Sequence, residues 1–252
     1  MDITKKVKVI GDLQNKSADV FDNVVHSLKA GMSEKEIAEA IKQEFKIKGI
    51  EEFWYNVPIT VLIGVDRFKV GTTTPDYVVK NPSKDILLEE GSPLFIDLSP
   101  VDPKTKLWGD WSSMVIFHPR KKVDDEQVAF LEEMRQIHRK GISMITSHST
   151  GLDVIKIYLE LFKNKGITLL DVRKNVGHSI HSGPKDKTKR IWLDEDNLNL
   201  LGEGLFAVES GGFRKKKDGS GIIVGRFEEC IYIPKEGNAI LLGSQISLPL
   251  VV

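Results

Sequence analysis

The strongest constraint on this chain is an internal repeat. Phe45-Lys46-Ile47-Lys48-Gly49-Ile50 recurs as Phe162-Lys163-Asn164-Lys165-Gly166-Ile167, an offset of 117 residues. At the same offset Ser33 falls on Thr150 and Glu36 on Asp153, so both matching segments close helices with similar caps. In such a cap a Ser or Thr hydroxyl accepts from the backbone three residues on, while an acidic side chain reaches back. Carboxylates recur downstream of each helix. Asp97 ends the apolar run Leu94-Phe95-Ile96 as Glu209 ends Leu205-Phe206-Ala207-Val208, and Asp110 and Glu228 each stand at the start of the next strong strand. A six-residue match between amphipathic helix ends is by itself as readily coincidence as duplication; the matching carboxylates weigh for duplication. A long helix, a capped helix and a carboxylate-bearing hairpin thus occur twice in one domain, 1–252, with halves of roughly 1–120 and 121–252. Two such halves facing each other would each bring two carboxylates to a shared centre.

Periodicity fills in the elements. Val7, Ile10, Leu13, Val20, Val24 and Leu28 predict a first helix over about 5–30, ended by Gly31; Ile37, Ile41 and Phe45 form the stripe of a second, stopping at Gly49. Phe53 to Val65 reads as a strand, Thr72–Asp76 and Asn81–Asp85 as loops, and Leu94–Leu98 and Trp111–Phe117 as strands. A helix is expected over Asp124–His138 and another from the Thr150 cap to Lys165, followed by strands near 167–172, 205–210, 221–233 and 239–242.

A carboxylate at the end of an apolar run is drawn toward the interior, where an unpaired charge costs several kcal/mol. Several such groups together need a cation or shared protons. Singly, each residue has a plainer reading: Asp97 and Asp110 as turn caps, His178 after Gly177 as a structural histidine, Glu209 as a solvated strand end. Glu228 and Glu229 point to opposite faces of a strand, and spacing does not choose between them. Lys+Arg and Asp+Glu both number 36, which argues against bulk attraction to nucleic acid or an anionic membrane. The run Arg214–Lys217 before Asp218-Gly219 reads as a solvated hairpin end. A single cysteine, Cys230, excludes an internal disulfide and a thiolate-rich metal cluster. No signal-like leader and no run of about 18 apolar residues is present, and a cytoplasmic protein is expected.

In order, Asp97, Gly109-Asp110-Trp111, Val176-Gly177-His178, Phe206-Ala207-Val208-Glu209 and Arg226-Phe227-Glu228 resemble the metallopeptidase family of methionine aminopeptidase, prolidase and aminopeptidase P. The resemblance covers most of the chain and leans to a prolidase-like branch. It implies an α+β pita-bread fold whose pseudo-two-fold axis accounts for the repeat. It also implies metal ligands Asp97, Asp110, His178, Glu209 and Glu228, with Asp110 and Glu228 bridging two ions and Glu228 preferred over Glu229. Two divalent ions (Mn, Co, Fe or Zn) about 3.5–4 Å apart would activate a shared water against the amide carbonyl of a small peptide. Glu209 would move the proton.

The departures concern histidines. None lies between Glu52 and Pro93, where the family carries a substrate-contacting one, and Asn56 stands at the corresponding place. Lys185 and Asp186 lie where a second is expected; His181 is closer, and either substitutes for it in a catalytic role or only lines the strand. Ser210 replaces the proline that often follows the Glu209-type ligand. Trp54, Trp108 and Trp111 are candidates for cleft lining or simple packing. The expected activity is a small-peptide hydrolase of the Xaa-Pro or aminopeptidase type. The alternatives are a pita-bread binding module that has lost turnover, or a creatinase-type C–N hydrolase. The oligomeric state is not readable from the sequence, although prolidase-like members of the family commonly form a homodimer.

Overall fold

The computed structural model describes residues 1–70, 74–75, 77–118, 125–171, 173–180, 190–243 and 248–252. The chain opens with α1 (Ile3–Ser27), capped by Asp2, whose carboxylate accepts from Lys5 N at 2.9 Å. α1 stops at Ser27, short of Gly31, which forms a separate turn at φ 88°. α2 (Glu34–Ile47) starts at the expected capping box. Glu36 N donates to Ser33 Oγ at 3.2 Å, and Ser33 N donates to Glu36 Oε2 at 2.8 Å. The apolar stripe Ile37, Ile41 and Phe45 is fully buried.

Of the expected strand over Phe53–Val65, only β1 (Ile59–Ile63) forms; Phe53 makes an isolated bridge to Pro100. β2 (Lys69–Val70) and β3 (Thr74–Pro75) pair with each other, so part of the expected Thr72–Asp76 loop is strand. β4 (Pro93–Leu98) and β5 (Trp111–Ile116) follow. The second half repeats the plan. α3 (Asp125–Ile142) precedes α4 (Gly151–Lys163), which carries a second capping box from Thr150 and Asp153. Then come β6 (Thr168–Leu169), β7 (Gly177–Ser179), β8 (Gly204–Lys215), β9 (Ile222–Ile233) and β10 (Ile240–Leu241).

The main sheet makes the repeat visible in space. Its order is β1-β4-β5-β9-β8-β6, with β7 added to β8 and β10 to β9. Each half supplies three strands of that path, and the halves meet where β5 pairs with β9. All these pairs are antiparallel. α3 lies close on the β8–β9 hairpin because glycine leaves room: a Cβ at Gly225 would meet Met134 Cγ at 2.7 Å. Most of the first half's apolar residues form one buried cluster around Trp108, Trp111 and Phe21, and those of the second half another around Phe130, Tyr158 and Phe206. None of the described helices is long and apolar enough to cross a membrane.

Candidate metal centre

Strand register assembles the site. Asp97 on β4 stands opposite Ser112 on β5, Ser112 opposite Glu228 on β9, and Glu228 opposite Glu209 on β8. Directly opposed residues present their side chains on the same face of a sheet. One line across four strands therefore sets Asp97, Glu228 and Glu209 side by side. Asp110 precedes Ser112 by two positions and keeps its parity. His178 on β7 stands opposite Ala207, two residues before Glu209. The line also separates Glu228 from Glu229, which points to the opposite face, 3.7 Å from His138 Nε2 on α3. Glu209 and Glu228 sit inside a long hairpin, where strand-end positions had been expected.

The backbone around Asp110 is pinned from the first helix. Gln14, fully buried on α1, donates to Asp110 O at 2.9 Å and accepts from Cys230 N at 2.8 Å. One amide side chain thereby ties the start of β5 to β9, which carries Glu228. His178 is placed by Gly177, whose φ of 144° suits glycine and whose absent Cβ would run into the Ala207 carbonyl oxygen. Gly177→Ala is expected to destabilise the fold by about 2–4 kcal/mol. A urea denaturation curve superimposable on that of the native chain would refute this.

Asp110, His178 and Glu228 each offer a ligand atom lying within 4.8 Å of the others. His178 Nε2 lies 3.4 Å from Asp110 Oδ2 and 4.0 Å from Glu209 Oε1. Asp97 and Glu209 flank this trio, and both are engaged. The Tyr77 hydroxyl donates to Asp97, and Arg226 donates to Glu209 Oε2. Arg226 is 2% exposed, lies 3.8 Å from the Tyr77 ring centroid and comes within 3.9 Å of Glu228 Oε2.

The electrostatics are those of crowded, buried acids. Burial, then the Asp110 charge, pushes Asp97 up to about 7. Burial raises Asp110 too, partly offset by the hydrogen bond to His178. Glu228 is held well above the usual carboxylate range by burial, then by Asp110, Glu209 and Asp97. Burial opposes the charge of Arg226, but Glu209, Tyr77 and Glu228 more than compensate. An excess of buried negative charge with an imidazole aimed into it suits a divalent cation.

The cluster opens into a cleft of about 450 Å³ lined by Trp54, Tyr55, Tyr77, Arg190 and Trp192 besides the acids. Trp54 is a wall residue, as one sequence alternative had it. Trp108 is buried beside His178, with ring centroids 5.5 Å apart, and Trp111 is packed against Phe21. Asn56 is exposed and is not among the residues lining the cleft, whereas its neighbours Tyr55 and Val57 are. Ser210 is buried and bonds His138 Nδ1 at 2.8 Å, behind the sheet. His181 lies outside the described residues. The basic run is not wholly solvated, since Arg214 bonds Glu133 at 2.7 Å and lies over Phe130.

Arg226 and Tyr77 were given no role from sequence. Arg226 had a signal: a lone arginine two residues before Glu228, in an apolar strand, must share that residue's face. Tyr77 had none, as it follows a polar loop with no periodic pattern.

The comparisons with known proteins agree with this architecture. A sequence profile of metallopeptidase family M24 matches residues 9–235. The chain belongs to that family. Its fold is similar to that of an X-Pro aminopeptidase from Thermotoga maritima (TM-score 0.76, 20% identity, covering 100% of this chain and 64% of that one). It is also similar to methionine aminopeptidase from Thermotoga maritima (TM-score 0.72, 18% identity, 96% and 97% covered) and prolidase from Pyrococcus furiosus (0.70, 16%, 97% and 65%). The α+β pita-bread fold follows, as the family resemblance implied. The chain spans about two thirds or less of the length of several of these relatives (64%, 63% and 60%). No match is found among curated protein sequences.

Proposed function

We propose that this chain is a metal-dependent hydrolase of short peptides. The observation that carries the reading is the buried trio of Asp110, His178 and Glu228 within 4.8 Å, flanked by Asp97 and Glu209, in a member of family M24. These five residues would hold two divalent ions of the Mn, Co, Fe or Zn type, whose chemistry is to polarise an amide carbonyl and acidify a water.

The chain's own groups do the rest. Arg226 fixes Glu209 through Oε2, leaving Oε1 turned toward His178, where it takes the proton of the attacking water and returns it to the leaving nitrogen. Tyr77 and Arg226 hold Asp97 and Glu209 in one orientation each, so that little reorganisation accompanies cation binding. Trp54 and Trp192 shield the cleft from bulk water and strengthen every charge interaction within it. Xaa-Pro peptides are the first substrates to try, followed by peptides with N-terminal methionine.

The test is metal content after reconstitution with Mn, Co, Fe or Zn, followed by a panel of Xaa-Pro and Met-peptides. Failure to hold any of these ions at stoichiometric level overturns the reading. A second reading, a binding module without turnover, draws on the fact that His178 is the only histidine among the described cleft-lining residues. Stoichiometric metal with no hydrolysis across the panel would favour it.

A further inference from the structure

The face of the sheet behind the acid row carries a polar cluster of its own. Ser210 and Glu229 each follow one of the paired glutamates, and successive strand residues point to opposite faces. Both therefore turn away from the cleft toward α3, where Ser210 is fully buried and Glu229 is 3% exposed. His138 of α3 lies between them, with Nδ1 2.8 Å from Ser210 Oγ and Nε2 3.7 Å from Glu229 Oε2. Two contacts hold the ring there. The Tyr158 hydroxyl of α4 donates to the His138 carbonyl oxygen at 3.0 Å, and Met134, one turn earlier, fills the space left by Gly212 and Gly225 on the two strands. Burial, then the charges of Arg139 and Arg226, pushes His138 down to about 3, so the ring is neutral and has one N–H. Nε2 faces a carboxylate, which only accepts; the hydrogen belongs there, and Nδ1 accepts from the Ser210 hydroxyl.

This bridge stands where the hairpin is weakest. Glu209 N donates to Val176 O at 2.9 Å, away from β9. Glu209 and Glu228 therefore face each other at a position where β8 and β9 exchange no backbone bond, and such pairs bring their side chains closest together. Like charges directly opposed in this way push the strands apart. The flanking pairs are Val208 with Glu229 and Ser210 with Phe227. His138 reaches from Ser210 of one pair to Glu229 of the other, so its ring crosses the acid pair diagonally from the opposite face. A change in the pose of Ser210 or Glu229 is passed through a single peptide unit to the glutamate beside it.

We propose that His138 is a positioning residue: held on Ser210 and facing Glu229, it braces β8 against β9 from behind and keeps Glu209 and Glu228 side by side for a cation. The cation rests on the hydrolase reading; the brace rests on His138 and Ser210.

The test compares Ser210→Ala, His138→Phe and His138→Asn with the native full chain by two measurements. The first is amide hydrogen exchange in metal-free protein, followed by NMR, which reads local opening separately from global unfolding. Ser210→Ala and His138→Phe should speed exchange at Val208, Phe227 and Glu229 far more than at Arg214 and Ile223, which lie further along the same hairpin. The second is isothermal titration with Mn, in which both variants should bind about tenfold more weakly, the lower end of the range for outer hydrogen-bond partners. Combining them should cost no more than either alone. His138→Asn, which keeps a polar atom near the place of Nδ1, should retain part of the native behaviour. Ser210→Ala carries the test if the ring substitutions do not fold. Faster exchange spread evenly along the hairpin overturns the brace, because lost packing alone does that. Unchanged Mn affinity in the variants, where the native chain holds the ion, overturns it equally. Local opening in the variants of a native chain that holds no Mn leaves the brace standing and removes the hydrolase reading.

Discussion

Glu228→Gln is expected to move two observables in opposite directions. It removes a candidate ligand from the centre of the row, so divalent-cation affinity should fall by more than the 10–100-fold typical of outer hydrogen-bond partners, roughly 100-fold or beyond. Any hydrolysis should disappear with it. The metal-free protein, however, should become more stable. Glu228 is 2% exposed, and burial and the charges of Asp110, Glu209 and Asp97 hold its carboxyl well above the ordinary range. Whether the folded chain answers by taking up a proton or by bearing the repulsion, glutamate costs stability at neutral pH that glutamine does not. The melting temperature should rise by about 2–4 °C for each kcal/mol relieved. Calorimetry of the metal-free variant and isothermal titration with Mn check the two halves separately. A variant that binds Mn as the native chain does would remove Glu228 from the site.

The second large effect is a pH dependence centred on Asp97. Its carboxyl is raised from 3.8 to about 7 by burial and by Asp110, against the Tyr77 hydrogen bond and the charge of Arg226. For a carboxyl raised on folding, the native state binds more protons than the unfolded chain between the two values. Its contribution is therefore complete below the unfolded value near 4 and is lost as pH rises through the folded value near 7. A shift from 3.8 to about 7 corresponds to about 4 kcal/mol at most. Other carboxylates act in the opposite sense: Glu36 and Asp153 in the capping boxes are held low by backbone hydrogen bonds and lose their contribution in acid. The informative quantity is thus the stability of native protein minus that of Asp97→Asn, followed in urea from pH 4 to 8 without metal. It should decline steadily with pH. Saturating Mn should reverse the decline, because the ion takes the deprotonated carboxylate. A difference independent of pH would mean that Asp97 titrates as an ordinary exposed acid.

Local features were legible in the sequence, and long-range ones only where parity carried them. Both capping boxes, Ser33 with Glu36 and Thr150 with Asp153, were readable because a cap depends on residues three apart. The misplaced strand ends have a common cause. Gly211-Gly212 reads as the end of a strand, yet β8 runs through to Lys215. Those glycines make room: a Cβ on Gly212 would stand 2.5 Å from Ile167 Cγ2, and one on Gly211 3.2 Å from Leu170 Cδ2. The partners that demand glycine come from distant parts of the chain, and no local pattern announces them. The strand expected over Phe53–Val65 begins only at Ile59, because the aromatic side chains before it serve as cleft wall and edge contacts, such as Trp54 Nε1 donating to Gly109 O at 3.0 Å. Spacing alone leaves Glu228 and Glu229 open by one position; the resemblance prefers Glu228, and the register with Ser112 sets Glu228 in the row of acids.

The pairing of β5 with β9 has a consequence for how the molecule comes into being. Ser112 opposite Glu228 joins two segments far apart in the sequence, whereas β4 with β5 and β8 with β9 are near neighbours along it. Contacts between distant segments carry the larger loop-closure entropy and tend to form late. Each half can therefore zip its own hairpin first, with Asp97 and Asp110 on one and Glu209 and Glu228 on the other, while the repulsion among the four acids is still unfelt. Closing the seam is the step that crowds them. A divalent ion bound there at that moment would act as a clasp between two preformed halves, so the same four acids that make the seam costly to close in the metal-free chain would make it hard to reopen with an ion held.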